Sequence, residues 1–383
     1  MNSLLFVVIG LVAIAGGVVV FAVSARRDDR QTARLAATML LALGVLAVVT
    51  GWVLTGEKPN KADALRTGGL AAASVVALYA LWLNDRRRRV EEGRQEIERG
   101  LFEIQSTRAE LDRERADDER FARAVEMLGN EADQVRVGAL HALAGLARSR
   151  PDYTQTVLDV LCAYLRRPFD HPEYKAIRDG GEPESDPDAD RERQVRFAVQ
   201  RIIADLLPLV GTENAPHYDL DLHGATLEYF NIAHRVVGQL RIRESRLYES
   251  NSFNDCEFHG GVWFTNGHSY GRLYLNDVVF HDRSWFSRFI AHKVVDFQRS
   301  TFLGDVKFAG STWGGPVSFK DATFDHNVDF TRAKFNHDLD LRVTGGLTGA
   351  TLGMKVLLRH EHHLPDGWHV DESRDQSTGL VRA

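Results

Sequence analysis

Residues 306–330 read VKFAGSTWGGPVSFKDATFDHNVDF, and within them Phe308, Phe319 and Phe330 stand eleven residues apart. Followed outward in both directions, the same position holds Ile242, Phe253, Phe264, Leu275, Phe286, Phe297 and Leu341, so ten consecutive positions of one series are apolar. A second series, displaced by five, runs Leu247, Phe258, Ser269, Phe280, Ala291, Phe302, Trp313, Phe324 and Phe335. Two residues before the first series stand Val262, Val295, Val306, Val317 and Val328. Before the second stand small residues such as Ser245, Cys256, Ser300, Ser311, Ala322 and Ala333. A period of this kind marks stacked repeats.

The spacing dictates a shape. Residues two apart point to the same side of an extended strand, so Val317 and Phe319 share a face, as do Ala322 and Phe324. Steps of five and six then break the alternation, and the chain must turn after every two or three extended residues. Like residues stack only if one coil is a multiple of eleven long. A single eleven cannot enclose a core and three would leave it hollow, so a coil of two elevens with four sides is expected. Before Ile242 the step is five: Leu222, Leu227, Ile232, Val237. Five to six coils at ~4.8 Å each give a rod about 25 Å long.

On these residues the stretch Tyr218–Val343 resembles the pentapeptide-repeat family. The resemblance implies a right-handed four-sided β-helix with a central Leu or Phe and a small residue two before it facing inward. The sixth residue in alternate steps departs from the plain five-residue form. Together with the segments described next, the chain also resembles membrane-linked pentapeptide-repeat proteins of actinobacteria, which have no assigned activity. Some family members mimic DNA and inhibit gyrase, which requires a strongly acidic surface. Between Ile242 and Leu341 there are 13 acidic and 11 basic residues, so regulation of a topoisomerase or another DNA enzyme by surface mimicry is the alternative function, not the leading one.

The rest of the 383-residue chain is unlike this segment. Of its 100 charged residues only eleven fall in residues 1–84. Residues 1–25, Leu35–Gly56 and Thr67–Asn84 carry no charge, against the ~20 apolar residues needed to cross a bilayer, which predicts three transmembrane helices. Tyr79 and Trp82 suit an interfacial belt. No Lys or Arg precedes the first span, which disfavours a cleavable signal peptide. Arg26, Arg27, Arg30 and Arg34 in the first loop, and Arg86, Arg87, Arg88 and Arg89 after the third span, outnumber Lys58, Lys61 and Arg66 in the second. The positive-inside rule then places the N-terminus outside and residues 85–383 in the cytoplasm of a multi-pass membrane protein.

Residues 85–118 predict a charged helical stalk. Val90, Ile97, Ile104 and Leu111 recur every seventh position while Gly93, Gly100 and Thr107 occupy the partner sites. A coiled coil wants both positions filled, so a homodimer through the stalk is weakly encoded. Residues 119–210 predict a helical module, with Leu140, Leu143 and Leu146 on one helix, Val157, Leu158, Leu161 and Leu165 on the next, and Val195, Val199, Ile202 and Ile203 on a last one over about 189–207. The stretch VRVGALHALAGLARSRP resembles a HEAT or armadillo-type helix, which implies protein binding or packing on neighbours. The acidic segment 171–190 reads as a solvated loop. Its run DPDAD resembles the start of a calcium loop, but the required Gly and Glu fall on Arg191 and Phe197.

Positions 22 apart share a wall, which makes Trp263 and Trp285 an outward pair and Tyr248 and Tyr270 a neighbouring one. An exposed aromatic patch with arginines is a protein-interaction surface in kind. It either meets an unidentified cytoplasmic protein or packs on the module at 119–210. The undersized centres Ser269 and Ala291 fall on one wall, with Phe289 placed above Gly267 to refill the space. In the tail, 344–383, the histidines His360, His362, His363 and His369 lack the spacing and company of a zinc site. A hairpin turning at Asp366-Gly367 and covering the last coil is expected instead, with the last helix of the module free to cover the opposite end.

Catalytic motifs are missing: no phosphate loop, GxGxxG, GxSxG or HExxH. No catalytic, cofactor or metal residue is assigned. Mild acidity, net −6, argues against direct nucleic-acid binding. Two distant cysteines, Cys162 and Cys256, build no disulfide framework. The sequence therefore predicts a non-enzymatic scaffold anchored in a lipid bilayer and presenting a cytoplasmic β-helix.

Overall fold

The computed structural model describes residues 2–25, 31–55, 61–347, 349–372 and 377–382. Arg26, Arg27, Arg30 and Lys58, on which the orientation reading leans, lie outside the described residues, as do the side chains of Lys61, Arg86, Arg89 and Val90. The chain divides into two compact units, Met1–Asp112 and Arg113–Ala383.

The first unit contains α1 (Asn2–Ala25), α2 (Gln31–Val53) and the larger part of α3 (Lys61–Leu128). Three stretches, Leu4–Ser24, Ala33–Val53 and Ala62–Asp85, are long and apolar enough to cross a membrane. Leu4, Leu5, Val12, Leu43, Trp52, Leu70 and Leu81 are exposed along them. Glycines let α1 and α2 approach closely. A Cβ on Gly10 would meet Val48 at 2.6 Å, and one on Gly44 would meet Ile14 at 2.7 Å. Small residues at such contacts are how helices associate where no hydrophobic effect separates them from lipid. Arg34 donates to the Ser24 carbonyl at 3.3 and 3.1 Å, satisfying an orphan acceptor at the end of α1. Residues 85–118 are helical throughout as part of α3, and Ile97, Ile104 and Leu111 are exposed along it.

The second unit joins a helical module to a β-solenoid through one continuous core. After α3 ends, the chain turns at Gly129-Asn130 into α4 (Asp133–Ser149), and Pro151 opens the turn into α5 (Thr154–Arg166). Leu140, Leu143, Val157, Leu158, Leu161, Leu165, Val199 and Ile203 are fully or almost fully buried between α4, α5 and α7 (Pro187–Leu206).

The segment 171–190 is not a loop. It contains α6 (Pro172–Asp179), with Pro172 at its first turn and Gly180 ending it at φ 79°. The His171 ring accepts from the Glu173 amide at 3.2 Å and so caps its start. One side chain of so short a helix is buried: Tyr174 is 3% exposed. The acidic run beyond it caps α7. The Asp186 carboxylate accepts from the Asp188 and Ala189 amides at 3.1 and 3.0 Å, the role that Asp plays at a helix start.

The solenoid is built of four sheets whose repeat strands all pair in parallel. The wall that begins with Leu220–Asp221 has six strands, which sets about six coils. Register reproduces the sequence period. In the first coil Leu220 pairs with Leu240 and Leu227 with Leu247, four steps of five further on. Later coils are two elevens long, as Leu240 pairs with Val262, Val295 with Val317 and Phe302 with Phe324. Like side chains therefore stack. Phe308 lies 5.3 Å from Phe286 and 5.2 Å from Phe330, and Phe297 lies 4.8 Å from Phe319 with the rings 1° from parallel.

Corners repeat as strictly as the rungs. Glu244, Asp255, Asn266, Asp277, Arg288, Arg299, Gly310, Asp321 and Arg332 all have φ between 53° and 69°, one every eleventh residue. The amide after seven of them closes on the carbonyl three residues back, as Cys256 on Phe253 at 3.3 Å and Ala322 on Phe319 at 3.0 Å, whereas the Val278 amide donates to the Ser300 hydroxyl at 3.1 Å. A left-handed third residue with that bond is the pattern of a type II turn. The smallest rungs, Ser269 and Ala291, pair with each other. Phe289, fully buried, fills the space above Gly267, where a Cβ would meet its ring at 3.3 Å.

Both ends are covered. At the start, Gln155 of α5 exchanges hydrogen bonds with the Asp219 backbone at 3.0 and 2.9 Å, and Arg235 donates to the Leu207 carbonyl at the end of α7 at 2.9 Å. At the other end the tail continues the walls before it turns back. Lys355–Leu357 and His362–His363 add parallel strands to two sheets, and Thr378–Arg382 then pairs antiparallel with both Lys355–Leu357 and His369–Glu372. Asp366-Gly367 is a turn, Gly367 having φ 84°, but it joins strands of different pairings. The antiparallel pair is His369–Glu372 with Thr378–Arg382, and 373–376 lie outside the described residues.

Candidate functional site

The wall that carries Leu240–Arg241, Val262–Trp263, Ser284–Trp285 and Val306–Lys307 brings the two tryptophans together, edge to face at 6.3 Å. They are not an exposed pair. Trp263 is 8% exposed and Trp285 half-buried. The indole of Trp263 folds back over Gly261, where a Cβ would come within 2.6 Å of it. Cations cover what remains. The guanidinium groups of Arg241, Arg243 and Arg283 lie 5.7, 5.4 and 5.8 Å from the Trp263 ring, while Arg283 and the Lys307 ammonium lie 5.7 and 4.8 Å from Trp285. Each contact is attractive through the ring quadrupole, and the aliphatic stems of the cations hide the indoles from water. Neither indole N–H, both shut away from solvent, finds an acceptor among the described residues.

Tyr248 and Tyr270 form the second pair and this one is stacked, 5.0 Å apart and 10° from parallel. Tyr248 is fully buried because α6 lies on it: Tyr174 stacks on its other face at 4.1 Å and Arg178 donates to its hydroxyl at 2.7 Å. Burial raises its phenol pKa, with Arg178 opposing. Tyr270 remains half-buried and passes the stack on to His292 at 4.6 Å. Of the two destinations open to the aromatic patch, the tyrosine half packs on the helical module, while the tryptophan half faces a cationic wall. The only sequence signal for α6 is Pro172 at its start and Gly180 at its end; the glycine that hides Trp263 gives no comparable signal.

Beside Tyr174 lies a buried carboxylate. Glu228 is 2% exposed and accepts from the Tyr174 hydroxyl at 2.6 Å and from Arg193 Nε at 2.7 Å, with a second bond from Arg193 Nη2. Its amide is bound by Gln200 at 3.2 Å. The hydrogen bond to Glu228 holds the Arg193 pKa up, and burial followed by Glu228 raises that of the Tyr174 phenol. Arg196, 3% exposed, donates to the carbonyls of Leu165 and Arg167 at 2.9 and 2.7 Å and so closes the end of α5; burial lowers its pKa.

A cleft of about 370 Å³ between α5 and the first coils is lined by Asp159, Cys162, Arg166, Asp219, Asp221 and Arg241. Its charges tie the module to the solenoid, as in the 2.6 Å pair of Arg166 with Asp221. Burial pushes the Cys162 thiol to about 12, and that of Cys256 equally.

Histidines also stack in columns. His217, His259 and His281 follow one another at 3.8 and 4.3 Å, each pair within 11° of parallel. Burial, then the neighbouring His217 and His281, lower the His259 pKa. His268 and His292 flank Tyr270, both with pKa values lowered first by burial. In the tail, His360 stacks on His337 at 4.2 Å and lies 3.2 Å from Asp338. No motif announces these columns. The arithmetic of 22 that aligns Trp263 with Trp285 nevertheless also aligns His259 with His281.

Among known families, residues 297–344 match the model described as pentapeptide repeats (9 copies). No curated protein matches the chain. No solved structure matches it either.

Proposed function

Because this chain is a pentapeptide-repeat protein, we propose that it is a non-enzymatic, membrane-anchored scaffold whose solenoid and helical module present a docking wall to a cytoplasmic protein. Three apolar helices of bilayer length support the anchor. The arginines of the first loop and of the segment after the third span support an N-terminus outside and a solenoid in the cytoplasm. Residues 85–118 serve as a charged helical stalk, and Ile97, Ile104 and Leu111, seven apart and exposed, offer a seam for a second copy. The solenoid is read as a right-handed, four-sided β-helix, in keeping with its family and with four parallel sheets.

The observation that carries the docking role is the wall of Arg241, Arg243, Arg283 and Lys307 around Trp263 and Trp285. Cations held over the buried indole of Trp263 and the half-buried indole of Trp285 suit an acidic protein segment. Trp and Arg are the residues that dominate interface energetics. Regulation of a DNA enzyme by mimicry fits poorly, because a DNA mimic needs a continuous acidic wall. The test is in-cell crosslinking of the full-length protein in membranes, comparing the native chain with an Arg283→Glu/Lys307→Glu variant. Loss of a crosslinked protein in the variant supports the wall as docking site. An identical crosslinked set from both chains removes it.

A further inference from the structure

On another wall of the solenoid, we propose that Glu257, His259 and His281 form a binding site for a first-row divalent transition ion such as Zn²⁺, with a fourth coordination position left to solvent. The donors are placed by backbone geometry. Glu257 and His259 are two residues apart on one extended segment and so point to the same side. His281 occupies the same position one coil later, since Phe258 pairs with Phe280. One ligand atom from each of the three lies within 4.8 Å of the others, and His259 Nε2 is already 3.4 Å from a Glu257 oxygen. Tetrahedral zinc with 2.0–2.1 Å bonds needs ligand atoms about 3.3 Å apart. His259 and His281 stack 4.3 Å apart with their planes 10° from parallel. Imidazole lone pairs lie in the ring plane, so the exposed His281 ring must turn out of the stack to share an ion with the half-buried Glu257 and His259.

The neighbouring coils argue that this is more than the ordinary furniture of a wall. The column of Glu257 otherwise holds Val236, Val279, Thr301 and Thr323, and that of His259 and His281 holds Gly238, Leu303 and Asp325. Carboxylate and imidazoles coincide only at these adjacent coils. Gly238 adds no side chain to this column, a Cβ there would meet Asp219 Oδ1 at 2.3 Å, and the ring of His217 stacks on His259 at 3.8 Å. Two imidazoles and one carboxylate suit zinc, nickel or copper better than calcium or magnesium, which prefer all-oxygen shells.

The test uses the full-length protein in detergent, titrated with Co²⁺ and followed by visible d–d absorption, then back-titrated with Zn²⁺. The native chain is expected to bind cobalt in a form that zinc displaces. Glu257→Gln and His281→Ala should each weaken zinc by at least about tenfold, since groups that merely orient a ligand already contribute ~10–100-fold. His337→Ala/His360→Ala, which removes the other histidine and carboxylate cluster, should leave that affinity in place. The variants change half-buried or exposed positions, and each is checked for native circular dichroism. The assignment is overturned if the native chain gives no cobalt spectrum, if both Glu257→Gln and His281→Ala bind as the native chain does, or if only the His337/His360 variant loses the ion.

Discussion

Phe289 shows how one side chain can hold a repeat together where the repeat itself falters. It stands where a small residue is expected, yet it is fully buried and touches Phe264, Phe286 and Trp313 at 5.6, 6.3 and 5.8 Å. The undersized rungs Ser269 and Ala291 make room for it. Phe289→Ala should therefore cost about 3–5 kcal/mol, the usual range for emptying a buried aromatic site, read as a fall in the denaturant midpoint of the solenoid. Phe289→Ala/Ala291→Leu should recover part of that loss, because the second change refills the rung from within its own column. Equal midpoints for the single and double variants would show that the two positions do not share one space. The rungs were legible in the sequence to the single residue, since a period of eleven fixes which side chains face inward. Solvent exposure on the outer face was not. Trp263 is hidden by the glycine two positions before it, and alternation alone does not report what a ring does once it leaves the strand.

At the scale of elements, α6 and its buried carboxylate are where the helical module grips the solenoid. Nothing periodic announces a helix of eight residues, and its acidic surroundings resemble a solvated loop; tertiary contact, through Tyr174 on Tyr248 and Glu228, is what forms it. Removing the cation that balances Glu228 should expose that dependence. Arg193→Met leaves a buried, uncompensated charge, which costs about 3–5 kcal/mol. The expected readout is faster proteolysis within 171–186 together with a lowered melting midpoint. Arg193→Met/Glu228→Gln should be the more stable of the two variants, because it leaves no charge behind. If the single variant resists protease as the native chain does, α6 is held without Arg193, by the stacked tyrosines and the Arg178 bond to Tyr248. The tail teaches the same lesson: a turn at Asp366-Gly367 was legible from two residues, but its partner strand was not, since pairing depends on which solenoid edge lies open.

For the whole molecule, orientation across the membrane is open to a direct measurement, and the chain's two native thiols make it a clean one. Cys162 and Cys256 are buried and their thiol pKa values are pushed to about 12, which leaves little thiolate to react. Cysteines introduced at exposed positions should therefore be labelled without background. With a membrane-impermeant maleimide, Thr55→Cys should react in intact cells and Lys320→Cys only after permeabilisation. The reverse pattern would invert the proposed topology.

The coil register has a genetic corollary. Each position of the solenoid recurs on the same wall after two elevens, so a gene can drop or duplicate that many codons within 242–341 and still encode matched columns. A change of one eleven keeps the local spelling but swaps every wall with its opposite number. Length along the axis is thus free to drift between descendants in whole coils, while the cross-section, and with it any wall a partner has learned to read, stays fixed.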